Sequence, residues 1–268
     1  MMDFSNEQLQ RYSRHIILQD VGVEGQEKLL KSSVLIIGTG GLGTPAAQFL
    51  AAAGVGKVGL VDADKVELSN LQRQVLHHTT DVGKLKVESA KEKINSMNPD
   101  VEVKTYPYYL TSQNIKEVIR EYDFVIDGTD NFPAKFLIND ACVIEGKPLS
   151  HAGIIKFGGQ VTTIVPGGDT PCYRCMFPQP PKPGSVPSCK EAGVIGVMGG
   201  VVGTIQATEA IKYILDKGEL LTGKLLTYDA LKMEFRKINL KKRDNCGICS
   251  DDPEIKELID YEQGACEL

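Results

Sequence analysis

The stretch Val34-Leu35-Ile36-Ile37-Gly38-Thr39-Gly40-Gly41-Leu42-Gly43 decides how this chain folds. Four apolar, mostly β-branched residues suit a strand buried on both faces. The glycines next to them turn the chain sharply and let backbone approach a ligand closely. They open a helix through residues 44–53, with Pro45 suited to its first turn and Gly54 to its end. Amides at such a helix N-terminus face an anion. A second apolar run, Val58-Gly59-Leu60-Val61, ends at Asp62. It lies about twenty residues past the glycines, where an acid hydrogen-bonds a ribose hydroxyl. Glycine turn, helix, strand and acid together predict a βαβ nucleotide-binding unit, although a glycine motif alone also serves turns and tight packing.

The residues beyond this acid bear on which nucleotide binds. The tract Ser69-Asn70-Leu71-Gln72-Arg73-Gln74 and, further on, Lys86 supply phosphate-capable donors; Asp130 and Asn131 come after a third buried run, Phe124-Val125-Ile126. Arg73 can clamp oxygens bidentately, Lys86 acts as a compact point charge, and Asp130 can orient a magnesium ion between phosphates. The competing reading makes Arg73 and Lys86 solvated surface charges, the usual fate of such residues and a natural one for Lys86 in a helix rich in Lys and Glu. A nicotinamide oxidoreductase would share the glycine turn and Asp62 but leave Arg73, Lys86 and Asp130 without work.

Beyond this unit, helices expected near 84–96 and 114–121 alternate with strands near 101–106 and 123–127. That alternation predicts an α/β fold with a Rossmann-like, doubly wound sheet, parallel in the N-terminal half. Residues 132–145 read as helix and 159–165 as a strand. A long helix is expected to run up to Gly218, with β-rich runs over 225–239, so the C-terminal half should be mixed. Residues 6–18 read as helical. The segment from Pro178 to Cys189 carries five prolines, which favours an extended, mobile crossover.

Of the net charge of −5, the last eighteen residues, Asp251 to Leu268, hold seven acids and one lysine, so the rest of the chain carries +1. The acidic balance belongs to a tail, expected to be solvated with a short helix near 254–261. The near-neutral body offers no footprint for nucleic acid. No apolar leader is visible, and the longest apolar run, 194–205, falls short of a membrane span. Four of seven cysteines form two C-x-x-C pairs, Cys172/Cys175 and Cys246/Cys249. Four thiolates close a tetrahedral, structural zinc shell, and this usage fits a reducing, cytoplasmic setting. Cys142 and Cys266 have no partner in either motif; His77, His78 and His151 could be ligands, yet isolated histidines are usually structural or surface residues, and zinc already has four better ligands.

Taken in order, Arg11-Tyr12-Ser13-Arg14-His15, Gly38 to Gly43, Asp62-Ala63-Asp64, Ser69 to Gln74, Gly83-Lys84-Leu85-Lys86, Asp127-Gly128-Thr129-Asp130-Asn131, Cys172-Tyr173-Arg174-Cys175, Tyr228-Asp229-Ala230 and Cys246-Gly247-Ile248-Cys249 resemble the ThiF/MoeB/HesA adenylyltransferases, relatives of ubiquitin-activating enzymes. The resemblance covers nearly the whole chain. It implies one adenylation domain over 1–250, made of a helical segment (1–31), a nucleotide-binding half (32–150) and a carrier-binding, zinc-holding half (151–250), with the tail (251–268) after it. It implies ATP-dependent adenylylation of the C-terminal glycine of a small ubiquitin-like sulfur carrier protein, with release of pyrophosphate. ATP would be the substrate and magnesium and zinc the metals. Gly38, Gly40, Gly41, Gly43, Asp62, Asp64, Ser69, Asn70, Leu71, Gln72, Arg73, Lys86, Asp130 and Asn131 would line the nucleotide site.

The same resemblance implies a homodimer in which Arg14 reaches the neighbouring subunit's site, and a sulfur donor such as a cysteine desulfurase or a rhodanese-like protein. It gives Cys189 a possible nucleophilic role, beside the alternative of an incidental loop thiol. A tRNA-modifying dehydratase of the same superfamily is the rival within the fold, disfavoured by the small basic surface and the intact cysteine pattern. A scaffold that only docks a carrier is another.

Overall fold

The computed structural model describes residues 4–182 and 192–261. Residues 183–191, where most of the proline-rich crossover and Cys189 fall, and 262–268, with Cys266, lie outside the described residues.

Eight strands form one sheet in the order β3-β2-β1-β4-β5-β6-β7-β8. Strands β1 (Ser33–Ile37), β2 (Lys57–Val61), β3 (Glu102–Tyr106), β4 (Phe124–Asp127) and β5 (Leu149–Ile155) pair in parallel. Strands β6 (Gly158–Ile164), β7 (Lys224–Asp229) and β8 (Glu234–Asn239) continue the sheet antiparallel. The expected parallel half followed by a mixed half is therefore present. Strand β5 has no counterpart in the sequence reading, because Ser150 and His151 interrupt its apolar pattern; both are buried.

Strand β1 shows why the apolar run of the opening stretch forms a central strand. Val34 and Ile36 face one core, with Leu50, Leu60, Val87 and Phe124, while Leu35 and Ile37 face a second, with Val125, Phe136 and Ile138. Burying each such side chain contributes about 1.5–3 kcal/mol. On the first face lie α3 (Gly22–Lys31), α4 (Gly43–Ala52), α5 (Lys86–Met97) and α9 (Val197–Leu215). On the second lie α6 (Ile115–Arg120) and α7 (Phe132–Ile144), together with Cys172, Cys246 and Ile248.

Two expectations need correction. Residues 6–18 form two short helices, α1 (Asn6–Arg11) and α2 (Ser13–Ile16), instead of one. The break falls at Tyr12, which is buried and accepts a hydrogen bond on its hydroxyl from Asn98 Nδ2 at 2.9 Å. Turning the chain there inserts the ring into the core. The described part of the tail, residues 251–261, is neither helical over 254–261 nor simply solvated. Asp260 accepts hydrogen bonds from Ser112 N and Oγ at 2.7 and 2.8 Å, and Ile255, Leu258 and Tyr261 pack against the second core. Apolar residues at intervals of three bury better along this extended path than in water.

Candidate active site

The parallel strands end at one edge of the sheet, where the glycine turn crosses from β1 to α4. Gly38 has φ +91°, and a side chain there would come within 2.9 Å of the Gly128 carbonyl group, so only glycine fits this close approach of the β1 and β4 ends. Asp62, at the end of β2, accepts hydrogen bonds from Thr39 N at 2.8 Å and Thr39 Oγ1 at 3.0 Å, and from Asp64 N at 2.9 Å. The carboxylate expected at the ribose thus also holds the turn in place. Gly40 O accepts from Thr44 N and Thr44 Oγ1, closing the first turn of α4.

Lys86, the first residue of α5, brings its Nζ to 2.8 Å from Asp64 Oδ2 and 4.0 Å from Asp62 Oδ2. Its side chain is only 8% exposed, which removes the reading of a solvated surface charge. Tyr109 donates to the other oxygen of Asp64 at 2.7 Å. That bond to a carboxylate, with partial burial and the Asp62 charge, pushes the Tyr109 phenol up to about 12. Arg73 lies with its aliphatic stem over Gly41, where an added side chain would meet Arg73 Cγ at 3.4 Å, and donates to Ser69 O at 3.1 Å.

The Ser69–Gln74 tract is shaped by Asn70, whose buried side chain accepts from Glu67 N at 3.2 Å. Ser69 donates to Glu67, while Leu71 is half-buried and Gln72 exposed. Asp130 stands exposed in the turn after β4, and Asn131 caps α7 by accepting from Ala134 N at 2.9 Å. Glycines 38, 40, 41 and 43 with Asp62, Asp64, Arg73 and Lys86 therefore share one mouth, and Asp130 adjoins it through Gly128. Arg14 is not part of this group: it is exposed on α2, and its side chain forms no hydrogen bond or ion pair with the described residues.

Sequence reasoning missed three features of this edge. His77, expected to be a structural or surface histidine more than a ligand, contacts the Thr39 carbonyl. Gly196, Gly199 and Gly203 line α9 and its start; side chains there would collide with Gln72 O at 2.0 Å, Gly41 O at 2.3 Å and Leu42 O at 2.4 Å. Their spacing of three and four was the available signal. Below the mouth, Asp127 is wholly buried, with Lys135 Nζ at 2.9 Å, His151 Nδ1 at 2.8 Å, and Thr129 N and Oγ1 at 2.9 and 2.6 Å. Burial raises the Asp127 carboxyl, but Lys135, His151 and Thr129 outweigh it and hold it well below the usual carboxylate range. Burial and the Lys135 charge push His151 below the usual histidine value, against the pull of Asp127.

The four motif cysteines meet on the second face. Their sulfurs all lie within 4.8 Å of one another, with Cys172 and Cys246 at 3.6 Å and Cys175 and Cys249 at 3.5 Å. A tetrahedral ion with bonds of about 2.3 Å to sulfur sets the sulfurs about 3.8 Å apart, so the cluster fits a closed metal shell. None of His77, His78 or His151 joins it, and Cys142 is a buried core thiol. Among the described residues no helix is long and apolar enough to cross a membrane.

Comparison with known proteins places this arrangement. The sequence profile of the ThiF family matches residues 12–248. A sulfur carrier protein adenylyltransferase of Thermus thermophilus is 51% identical over 265 residues, covering 97% of this chain and 98% of that protein. The SAMP-activating enzyme E1 of Haloferax volcanii is 52% identical over 255 residues, covering 95% and 94%. Among solved structures, that of E. coli MccB with ATP superposes with a TM-score of 0.77 at 26% identity, covering 89% of this chain and 74% of that one. With its profile matched over residues 12–248 and relatives matched along nearly their whole length, the chain belongs to the ThiF family.

Proposed function

We propose that this protein adenylylates the C-terminal carboxylate of a small ubiquitin-like sulfur carrier protein, consuming ATP and releasing pyrophosphate. The observation that carries the proposal is the mouth itself: a buried lysine held by two aspartates, facing a glycine turn over which an arginine lies. The 51% identical relative named as a sulfur carrier protein adenylyltransferase and the similar MccB structure with ATP support it.

A carrier carboxylate oxygen attacks the α-phosphorus of ATP, and the bond from that phosphorus to the pyrophosphate oxygen breaks. The carboxylate needs no deprotonation at neutral pH, so positioning and charge neutralisation supply the catalysis. Backbone at Gly38, Gly40, Gly41 and Gly43 approaches the nucleotide, Asp62 takes the ribose, and Asn70, Arg73 and Lys86 meet the phosphates. Asp64, Ser69, Leu71, Gln72 and Asn131 shape the surrounding wall. Asp130, exposed beside the mouth, would hold a magnesium ion, which when bound neutralises phosphate charge. Cys172, Cys175, Cys246 and Cys249 would hold a structural zinc ion, which when bound would pin the C-terminal strands to the base of the crossover.

The same reading divides the chain into residues 1–31, 32–150 and 151–250, with 251–268 as the tail. Arg14, flanked by the exposed Ile17 and Leu18, serves the neighbouring site of a homodimer in the cytoplasm. A cysteine desulfurase or rhodanese-like protein supplies the sulfur, and Cys189 is the candidate for a covalent bond to the carrier.

Carrier-dependent exchange of pyrophosphate with ATP tests the assignment. Arg73→Ala, Lys86→Ala and Asp130→Ala should each lower exchange about a hundredfold or more, as loss of one transition-state donor does. Near-normal exchange in all three overturns it. Cys189→Ala should leave adenylation intact and abolish only a carrier adduct or sulfur transfer.

A further inference from the structure

His77 sits where three parts of the mouth meet. It lies four residues beyond Arg73 and is 4% exposed. One ring nitrogen, Nδ1, lies 2.9 Å from Ser89 Oγ on α5, one turn beyond Lys86; the other, Nε2, lies 3.2 Å from the Thr39 carbonyl in the glycine turn. A carbonyl only accepts, so Nε2 carries the hydrogen in the contact with Thr39, while Ser89 Oγ, which is also a partner of Asp81, holds the ring at Nδ1. Burial, the largest influence, pushes His77 below the usual histidine value, with the nearby Lys86 charge acting in the same direction.

A trans peptide is planar, with its C=O and N–H pointing in opposite directions. Holding the Thr39 carbonyl toward His77 therefore aims the Gly40 amide the other way. The neighbouring groups are committed: Thr39 N to Asp62, and Gly40 O to Thr44. The Thr39–Gly40 peptide is the unit whose tilt His77 sets.

We propose that His77 is a positioning residue for the nucleotide: its Nε2–H, with the ring oriented by Ser89, fixes the Thr39–Gly40 peptide so that the Gly40 amide faces the nucleotide, in register with Arg73 and Lys86. This rests on the ATP site proposed above. The role is one of orientation, so its loss weakens ATP binding without disturbing the carrier surface.

The test compares His77→Phe, which keeps a ring but loses both hydrogen bonds, with His77→Gln, whose Nε2 keeps a donor near the Thr39 carbonyl. Calorimetry with magnesium and ATP gives the dissociation constant; exchange assays give KM for ATP and for carrier, and kcat; a melt of the nucleotide-free protein reports folding. His77→Phe should raise the ATP dissociation constant and KM tenfold or more at unchanged carrier KM, and His77→Gln should recover to within about threefold of wild type, since one restored hydrogen bond is worth roughly the difference.

Equal ATP affinity in wild type and both variants overturns the inference, as does His77→Gln as weak as His77→Phe. Should His77→Phe fail to fold, His77→Asn replaces it, because its amide mimics the Ser89-facing nitrogen and cannot reach Thr39; Asn as tight as Gln would then overturn the inference. Wild-type protein that binds no ATP defeats the underlying site reading and is thereby distinguishable.

Discussion

Two lysines on opposite faces of the same sheet are equally hidden, yet they belong to different kinds of structure. Lys86 and Lys135 are each 8% exposed, and each pairs with an aspartate at under 3 Å. The nearer partner of Lys86, Asp64, is half exposed; the partner of Lys135, Asp127, is 0% exposed. Lys135 also donates to the Ala152 carbonyl at 2.6 Å, and Asp127 binds the Thr129 turn. A charge whose partner already touches water can be handed to an incoming phosphate at small cost. One sealed with its partner cannot leave without stranding a buried ion. Burial of a lysine thus says little about its role until the exposure of its partner is known.

That contrast is open to direct attack. The largest effect should come from Lys135→Met, which strands Asp127 and should lower stability by about 3–5 kcal/mol in denaturant titrations. The double change Lys135→Met with Asp127→Asn should recover part of that loss; an equal or greater loss would break the account of a sealed pair. Next in size, Lys86→Ala should reduce exchange about a hundredfold, equivalent to about 2.7 kcal/mol, with the melting temperature hardly moved. A collapse in melting temperature would put Lys86 in the same class as Lys135.

The pH dependence sharpens the comparison further. Asp127 is held below its ordinary value in the folded state, so its contribution is complete above the unfolded carboxylate value, about 3.9, and is lost as pH falls through the lower folded one. Lys135→Met lifts the folded value, and acid unfolding monitored by circular dichroism should then begin at higher pH. Lys86→Ala should not move that onset. The smallest effect concerns a third buried pair, Arg174 with Asp140 at 2.7 Å, which Tyr261 covers by accepting from the guanidinium. Tyr261→Phe should cost about 1 kcal/mol in thermal or denaturant unfolding, the worth of one hydrogen bond.

The sequence carried a great deal of this. The run Val34 to Ile37 alternates between two cores, as a central parallel strand must, and the glycine turn, Asp62, Arg73 and Lys86 converge at its end. The four cysteines also meet, because two tight C-x-x-C turns leave little freedom in how a shell closes. The Lys135–Asp127–His151 cluster was illegible for a physical reason: its members come from β4, α7 and β5, separated in sequence and joined only by strand register. Strand β5 escaped because buried Ser150 and His151 look polar until their partners are known. His77 gave no signal, since a histidine's neighbours across the fold decide whether it is filler or hinge. The tail misled through its charge: seven acids read as solvent-loving, while Ile255, Leu258 and Tyr261 were already enough to bind it down.

Helix α9 has nineteen residues and is therefore about 28 Å long. Near one end its glycines bring backbone against the backbone of the glycine turn; at the other, Leu215 rests on Gly25 of α3. At Gly199 helix backbone and turn backbone meet directly, so a shift of the helix would pass to the turn. A tilt of about 5° about its far end would displace the Gly199 contact by about 2 Å, most of a hydrogen-bond length. The packing of Leu215 on α3 is thus one of the contacts that hold the glycine turn, from some twenty ångströms along the helix.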